Sequence, residues 1–259
     1  MTSSPPSAPS SSERSLTVVT GGTRGIGAAV SLRLAGAGHD LVLGFHRDEA
    51  AASRTARACE DLGARVRLVP GDLAAEATAD ALFAAAAELG QVTGLVNNAG
   101  ATYEFATLAE TPLDSIRRTV DLNLTAAILT ARAAVRAMST SYGGRGGVIV
   151  NISSGAATLG SPGEYVHYAA AKAGVDTLTR GLGLEVAAQG IRVVGVAPGL
   201  TDTDLHAATG DPGRLARMAP QVPLGRAGSA DEVAGAVAWL MSDEAAYVTG
   251  TTLRVAGGR

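Results

Sequence analysis

Tyr168 and Lys172 stand four residues apart in Tyr-Ala-Ala-Ala-Lys, at the start of a small-residue run that reads as a helix. That spacing puts both side chains on one helical face. A phenol whose ordinary pKa is about 10 is a poor proton carrier at neutral pH. An ammonium beside it would favour the phenolate and draw that pKa down, which makes the pair a candidate acid–base centre. The competing reading is a buried tyrosine and a lysine with its stem along the surface, at this spacing by chance. A second chemical cluster is Thr20-Gly21-Gly22-Thr23-Arg24-Gly25-Ile26-Gly27, which follows an apolar run and opens a helical pattern. Its glycines permit a tight turn and close approach of backbone to a pyrophosphate, and a helix start behind them would supply free N–H groups. A turn with no ligand is the alternative. No His/Cys/Asp spacing suggests a metal site.

The elements that must position these groups are legible as alternation. Apolar runs at residues 16–20, 41–44, 66–69, 94–96, 148–152, 192–197 and 252–255 are separated by helical patterns such as 28–37 and 79–89. Short Val/Ile/Leu runs between helices imply a parallel sheet covered on both faces, and right-handed crossovers wind it in both directions. The expected fold is α/β, a Rossmann-type doubly wound seven-stranded parallel sheet with helices on both faces. Residues 112–142 read as two consecutive helices or one helix with a break before it, and residues 199–223, with Gly210, Pro212, Gly213, Pro220 and Pro223, as an irregular stretch. A loop that long is functional or disordered in most domains.

Bulk properties narrow the classes. The length of 259 residues suits one dinucleotide-binding domain over 16–259, after a Ser/Pro-rich tail at 1–15 read as disordered. The net charge of −3 is scattered without a basic block, which argues against a nucleic-acid partner. No apolar run is long enough for a membrane span, and the first residues lack the apolar core of a secretory signal. A soluble, cytoplasmic chain is expected. Cys59, the one cysteine, excludes an intrachain disulfide and reads as a small buried side chain in a helix over 50–62.

The order Thr-Gly-x-x-x-Gly-x-Gly resembles the short-chain dehydrogenase/reductase family, and the resemblance runs from about residue 16 to the end. Asn97-Asn98-Ala99-Gly100 follows the fourth strand, Asp72 the third, and Pro198-Gly199 with Thr203 the sixth, each as in that family. Asp231-Glu232-Val233 and Val248-Thr249-Gly250 match it too. The cofactor contacts this resemblance implies are Gly21, Thr23, Arg24, Gly25, Ile26, Gly27, His46, Arg47, Asp72, Leu73, Asn98, Ala99, Gly100, Tyr168, Lys172, Pro198, Gly199, Thr201 and Thr203. The second strand ends on Phe45, where an acid would select NAD by accepting from the ribose 2′-OH. With His46, Arg47 and Arg24 nearby the cofactor expected is NADP(H), since a guanidinium suits a phosphate. Asp48 and Glu49 temper the positive field, and both arginines could instead be ordinary solvated side chains.

By the same resemblance, Tyr168 exchanges a proton with the carbonyl or alcohol oxygen, and Lys172 lowers its pKa and contacts the nicotinamide ribose. Ser154, at the end of the fifth strand, binds the substrate oxygen. Its interval to Tyr168 is one residue longer than in many members, which keeps Ser153 open. The backbone of Asn123 holds a water in a relay from Lys172, or the residue merely caps or breaks its helix. Tyr103, Glu164, Tyr165 and His167 are pocket-lining or structural, and His206 and Met218 fall in a stretch that resembles the family's substrate lid. The reading is an NADP(H)-dependent oxidoreductase interconverting a small-molecule carbonyl and a secondary alcohol, chiefly by reduction. Members that reduce 3-oxoacyl thioesters and members that oxidise sugars or polyols both resemble it. Arg145 matches a carrier-protein docking position, but uncharged Gln189 weakens that reading. A catalytically silent binding protein of this fold would lack the Tyr, the Lys or an open glycine loop, and all three are present. Assembly as a homotetramer is expected through the helix before the fifth strand and the helix of Tyr168, where Gly174, Gly181 and Gly183 permit close approach, with a second contact near the last strand.

Overall fold

Valine and leucine runs with no polar alternate position form strands only where helices cover both sides. In the computed structural model, which describes residues 14–203 and 213–259, each apolar run of the sequence is such a strand. They are β1 (Ser15–Thr20), β2 (His39–Phe45), β3 (Val66–Pro70), β4 (Val92–Asn97), β5 (Gly147–Ile152), β6 (Ile191–Pro198) and, after two short strands described below, β9 (Thr251–Val255). They pair in parallel in the order β3-β2-β1-β4-β5-β6-β9. The seven-stranded doubly wound sheet expected from the alternation is what forms. β7 (Thr201–Asp202) and β8 (Gly228–Ser229) make a separate two-residue pair beside it. His206 lies outside the described residues, as does the tail apart from Arg14 and Ser15.

Successive residues of a strand face opposite layers, so Val19 packs into one apolar layer and Val18 into the other. The first layer lies under α1 (Gly25–Gly36), α2 (Glu49–Asp61) and α9 (Ala230–Met241), with Val30, Leu34, Cys59, Val233 and Leu240 at its centre. The second lies under α3 (Glu76–Leu89), α5 (Ala126–Met138) and α7 (Val166–Val186), around Leu82, Ala134, Met138 and Val186. Ser229 caps α9 by accepting from the Glu232 N–H while the Glu232 carboxylate accepts from the Ser229 N–H, a reciprocal satisfaction of two otherwise orphaned donors.

Three details refine the sequence reading. β1 begins at Ser15, and Arg14 is tied to the fully buried Asp40 at 3.0 Å. The long helical stretch is continuous: α4 (Leu113–Val120) passes into α5 through a π turn at Asp121–Thr125, so Asn123 widens the helix without ending it. A Cβ on Gly174 would stand 2.9 Å from Leu124 and one on Gly183 2.8 Å from Gly250. Two of the three glycines assigned to subunit contact thus serve close approach within the chain; only Gly181 has open space around it.

Candidate active site

Parallel strands end together, and the loops leaving β1, β4, β5 and β6 enclose one cavity of about 980 Å³ at that end of the sheet. On the β1 side, the Thr20 hydroxyl accepts from the backbone N–H of Asn98 (2.9 Å) and of Ala99 (3.1 Å). The Asn98 amide in turn donates to the carbonyls of Thr20 (3.1 Å) and Gly21 (3.0 Å). The β4 exit therefore holds the glycine loop in place. Gly21 and Gly25 have φ of 60° and 50°, and a Cβ on Gly27 would lie 2.0 Å from the Gly21 carbonyl oxygen. Arg24 precedes α1 without giving it a side-chain cap, so the N–H groups of its first turn face the cavity end uncapped. A tight glycine cradle against an uncapped helix start fits a dinucleotide pyrophosphate.

Phe45 closes β2 in register with Pro70, so no carboxylate ends that strand. Arg24 reaches Asp48 at 3.5 Å, with 60% and 42% of the two side chains exposed. Asp48 also caps α2, accepting from the Ala51 N–H at 2.9 Å. Part of the local positive charge is therefore offset, and screening weakens the remainder.

On the β5 side the two serines separate. Ser153 is buried; its hydroxyl donates to the Lys172 carbonyl at 3.3 Å. Ser154 lies on the cavity wall, close enough to the Tyr168 hydroxyl to draw its pKa down, and its Oγ accepts from the Ala156 N–H at 3.1 Å. Between Ser154 and Tyr168 the chain forms α6 (Ala156–Leu159) and the turn after it. Lys172 Nζ donates to the Ile152 carbonyl at 2.8 Å and stands 5.7 Å from the centroid of the Tyr168 ring. Asn123 Nδ2 donates to the carbonyls of Ala101 (2.7 Å) and Thr119 (2.8 Å), while Oδ1 is buried without a hydrogen-bond partner. A Cβ on Gly100 would meet that Oδ1 at 2.6 Å and Lys172 Nζ at 3.3 Å, so only glycine lets the two groups share this space.

Burial dominates the protonation of the pair. It pushes Tyr168 up to about 12, against the Ser154 hydrogen bond, which lowers it. It brings Lys172 down to about 8, against the attraction of Asp176. The ammonium therefore does not bring the tyrosine down as expected: desolvation penalises both charged forms, and it outweighs the other influences on Tyr168.

Every cofactor residue singled out from the sequence lines the cavity except Gly27, which acts from behind the loop; among the proton-transfer residues Asn123 likewise stands behind the wall. Tyr103, Glu164, Tyr165 and Met218 are on the wall. His167 is not; it is buried beside Tyr168 with neither ring nitrogen hydrogen-bonded. Sequence reasoning passed over Phe105, Arg214 and Arg254, which also line the cavity. Phe105 is one of only three phenylalanines in the chain, a scarcity that could have drawn attention to it.

A family model described as enoyl-(acyl carrier protein) reductase matches residues 21–259. The uncharacterized oxidoreductase YgfF of Escherichia coli (strain K12) is 43% identical over 245 residues, which span 94% of this chain and 99% of that protein. The 3beta-hydroxysteroid dehydrogenase 1 of Eggerthella lenta is 40% identical over 249 residues, spanning 93% and 92%. A short-chain dehydrogenase from Burkholderia cenocepacia, solved in complex with NADP, superposes with a TM-score of 0.86 at 33% identity, covering 95% of this chain and 97% of that one. With the glycine loop, the Ser154–Tyr168–Lys172 geometry and these matches across nearly the whole length, the chain belongs to the short-chain dehydrogenase/reductase family of oxidoreductases.

Proposed function

We propose that the chain is an NADP(H)-dependent oxidoreductase that interconverts a carbonyl and a secondary alcohol, working chiefly toward the alcohol. The observation that carries this is that Tyr168, Ser154 and Lys172 line the same cavity as the glycine loop. Burial keeps Tyr168 protonated at neutral pH, so it holds the proton that a carbonyl oxygen would take. A carbonyl oxygen placed between Tyr168 Oη and Ser154 Oγ would accept from both. As charge grows on that oxygen, the Tyr168 proton crosses to it and Ser154 steadies it. When bound, the nicotinamide supplies the hydride that goes to the carbonyl carbon. Lys172, with a pKa of about 8, exchanges a proton near neutral pH and so suits the return of a proton to Tyr168. The orphaned Asn123 Oδ1 beside it marks a polar space through which that proton would travel.

The residues present fit the cofactor. Gly21, Thr23, Gly25, Ile26 and Gly27 would hold its pyrophosphate, and Asp72 and Leu73 its adenine. Asn98, Ala99, Gly100 and Lys172 would hold the nicotinamide ribose, and Pro198, Gly199, Thr201 and Thr203 the amide. Arg24, His46 and Arg47 line the wall where a 2′-phosphate would sit, and the NADP bound to the Burkholderia relative supports the same choice. We place the enzyme in the cytoplasm as a homotetramer; among the described residues no helix is long and apolar enough to cross a membrane. The test is NADPH oxidation against a panel of ketones. Tyr168→Phe should retain cofactor binding and lose on the order of 10²–10⁴ in kcat; near-normal turnover by the folded variant would refute the assignment.

A further inference from the structure

The whole chain holds three phenylalanines, five tyrosines and one tryptophan. Five of these nine, Phe45, Tyr103, Phe105, Tyr165 and Tyr168, line the cavity, and Phe105, Tyr165 and Tyr168 meet one another there. The largest fully buried side chains are instead Leu, Ile, Met and Val. A fold that fills its interior with aliphatic groups and gathers aromatic faces on one wall has placed those faces for a ligand.

The wall is rigid. The Phe105 and Tyr165 rings meet edge to face at 4.7 Å and 76°, and Tyr165 meets Tyr168 at 5.5 Å and 84°, an arrangement that aromatic quadrupoles favour. Arg214, only 4% exposed and at the start of α8 (Arg214–Met218), locks it from outside. Its guanidinium donates to both oxygens of Glu164 (2.6 and 2.8 Å) and to the Tyr165 hydroxyl (3.2 Å). Its Cζ lies 5.1 Å from the Phe105 centroid and 5.7 Å from that of Tyr165. The Ala106 N–H donates to the Glu164 carbonyl at 2.9 Å, which ties the Phe105 loop to the same post. Arg214 and Glu164 offset each other's charge beside the aromatic rings, while Arg259 also acts on Glu164.

We infer that the substrate bears its carbonyl on an apolar ring, which lies against Phe105 and Tyr165, and that Arg214 and Glu164 are positioning residues for that wall. A rigid ring loses little conformational freedom on binding a preformed flat surface, whereas an open acyl chain must freeze its rotors there. The inference rests on Tyr168 as the proton donor and deepens that reading.

The test measures kcat/KM of the NADPH-loaded enzyme for cyclohexanone and tetralone against open-chain heptanone and an acetoacetyl thioester. The ring ketones should lead by roughly tenfold or more. Phe105→Ala should remove most of that lead. Arg214→Met should raise KM for tetralone more than it lowers kcat, and Arg214→Lys should recover part of the loss. A binding arm separates the two readings: tetralone should still bind the Tyr168→Phe holoenzyme in calorimetry, and heptanone should bind it more weakly. Preference for the open-chain ketone or the thioester would overturn the ring assignment while leaving carbonyl reduction standing, and a ring preference that survives Phe105→Ala would overturn the placement of the ring on this wall. Turnover of none of the four, with tetralone still bound, would instead strike at the proposed reaction. If Arg214→Met fails to fold, Phe105→Ala and the binding arm decide the matter.

Discussion

Lys172 is held in the folded chain at a standing cost that a pH titration should expose. Its ammonium is buried, and burial lowers its pKa from 10.5 to about 8. The folded state therefore binds fewer protons than the unfolded chain between those two values. Stability gained from this group is present above about pH 10.5 and lost as pH falls through 8. The shift corresponds to roughly 3 kcal/mol against the folded state at neutral pH, of which most is relieved by pH 10. Lys172→Met removes the titration but also the hydrogen bond to the Ile152 carbonyl, so its net effect at a single pH mixes two opposing changes. The difference between wild type and variant across pH isolates the charge. Urea unfolding without added cofactor, at equal protein concentration, should show wild type gaining on Lys172→Met by on the order of 2 kcal/mol from pH 7 to pH 10. Tyr168 is present in both proteins and cancels. A constant difference over that range would show that Lys172 does not carry a depressed pKa, and with it the proton-return role would fall.

Arg24→Ala with Arg47→Ala should lower kcat/KM for NADPH about tenfold, the low end of two charge-assisted bonds because Asp48 and solvent temper them, and leave NADH nearly unchanged. A parallel loss with both cofactors would show that these arginines do not read the phosphate. Gly27→Ala forces a Cβ to 2.0 Å from the Gly21 carbonyl, so the loop must open. NADPH affinity measured by fluorescence should weaken at least roughly tenfold, and an unchanged Kd would argue that the loop is not the cradle. Light scattering at micromolar concentration should return a tetramer through the outer faces of α5 and α7 with a second contact near β9; a monomer would count against that assembly.

What the sequence disclosed follows from the range of the interactions involved. Buried parallel strands must be apolar at every position, so β1, β2, β5 and β6 were visible as runs such as Leu-Thr-Val-Val and Val-Ile-Val. The glycine loop was visible because its geometry admits one residue type at Gly27. The two serines differ only in three dimensions: Ser153 donates to the Lys172 carbonyl, and Ser154 faces the cavity. The sign of the Tyr168 shift was misread because spacing reveals the ammonium nearby and says nothing of the water removed from both groups. The Arg214–Glu164 pair joins residues 50 apart, and nothing in either neighbourhood names its partner. Gly174 and Gly183 looked free for a second subunit until Leu124 and Gly250 were seen against them.

The strand order carries a consequence for biogenesis. β1 is made first but sits near the middle of the sheet, between β2 and β4. During synthesis β1, β2 and β3 can pair as a nascent half-sheet, yet the far edge of β1, with Val18 and Val19, stays bare until Leu95 and Val96 emerge to take it. At the other end, β6 keeps an open edge until Thr251–Val255 dock beside Val194–Pro198. A ribosome that stalls between these points leaves an apolar, unpaired strand ready to template pairing with another chain. Rare pauses before residue 92 or before residue 251 are thus the moments when a chaperone's cover matters most to the yield of this protein.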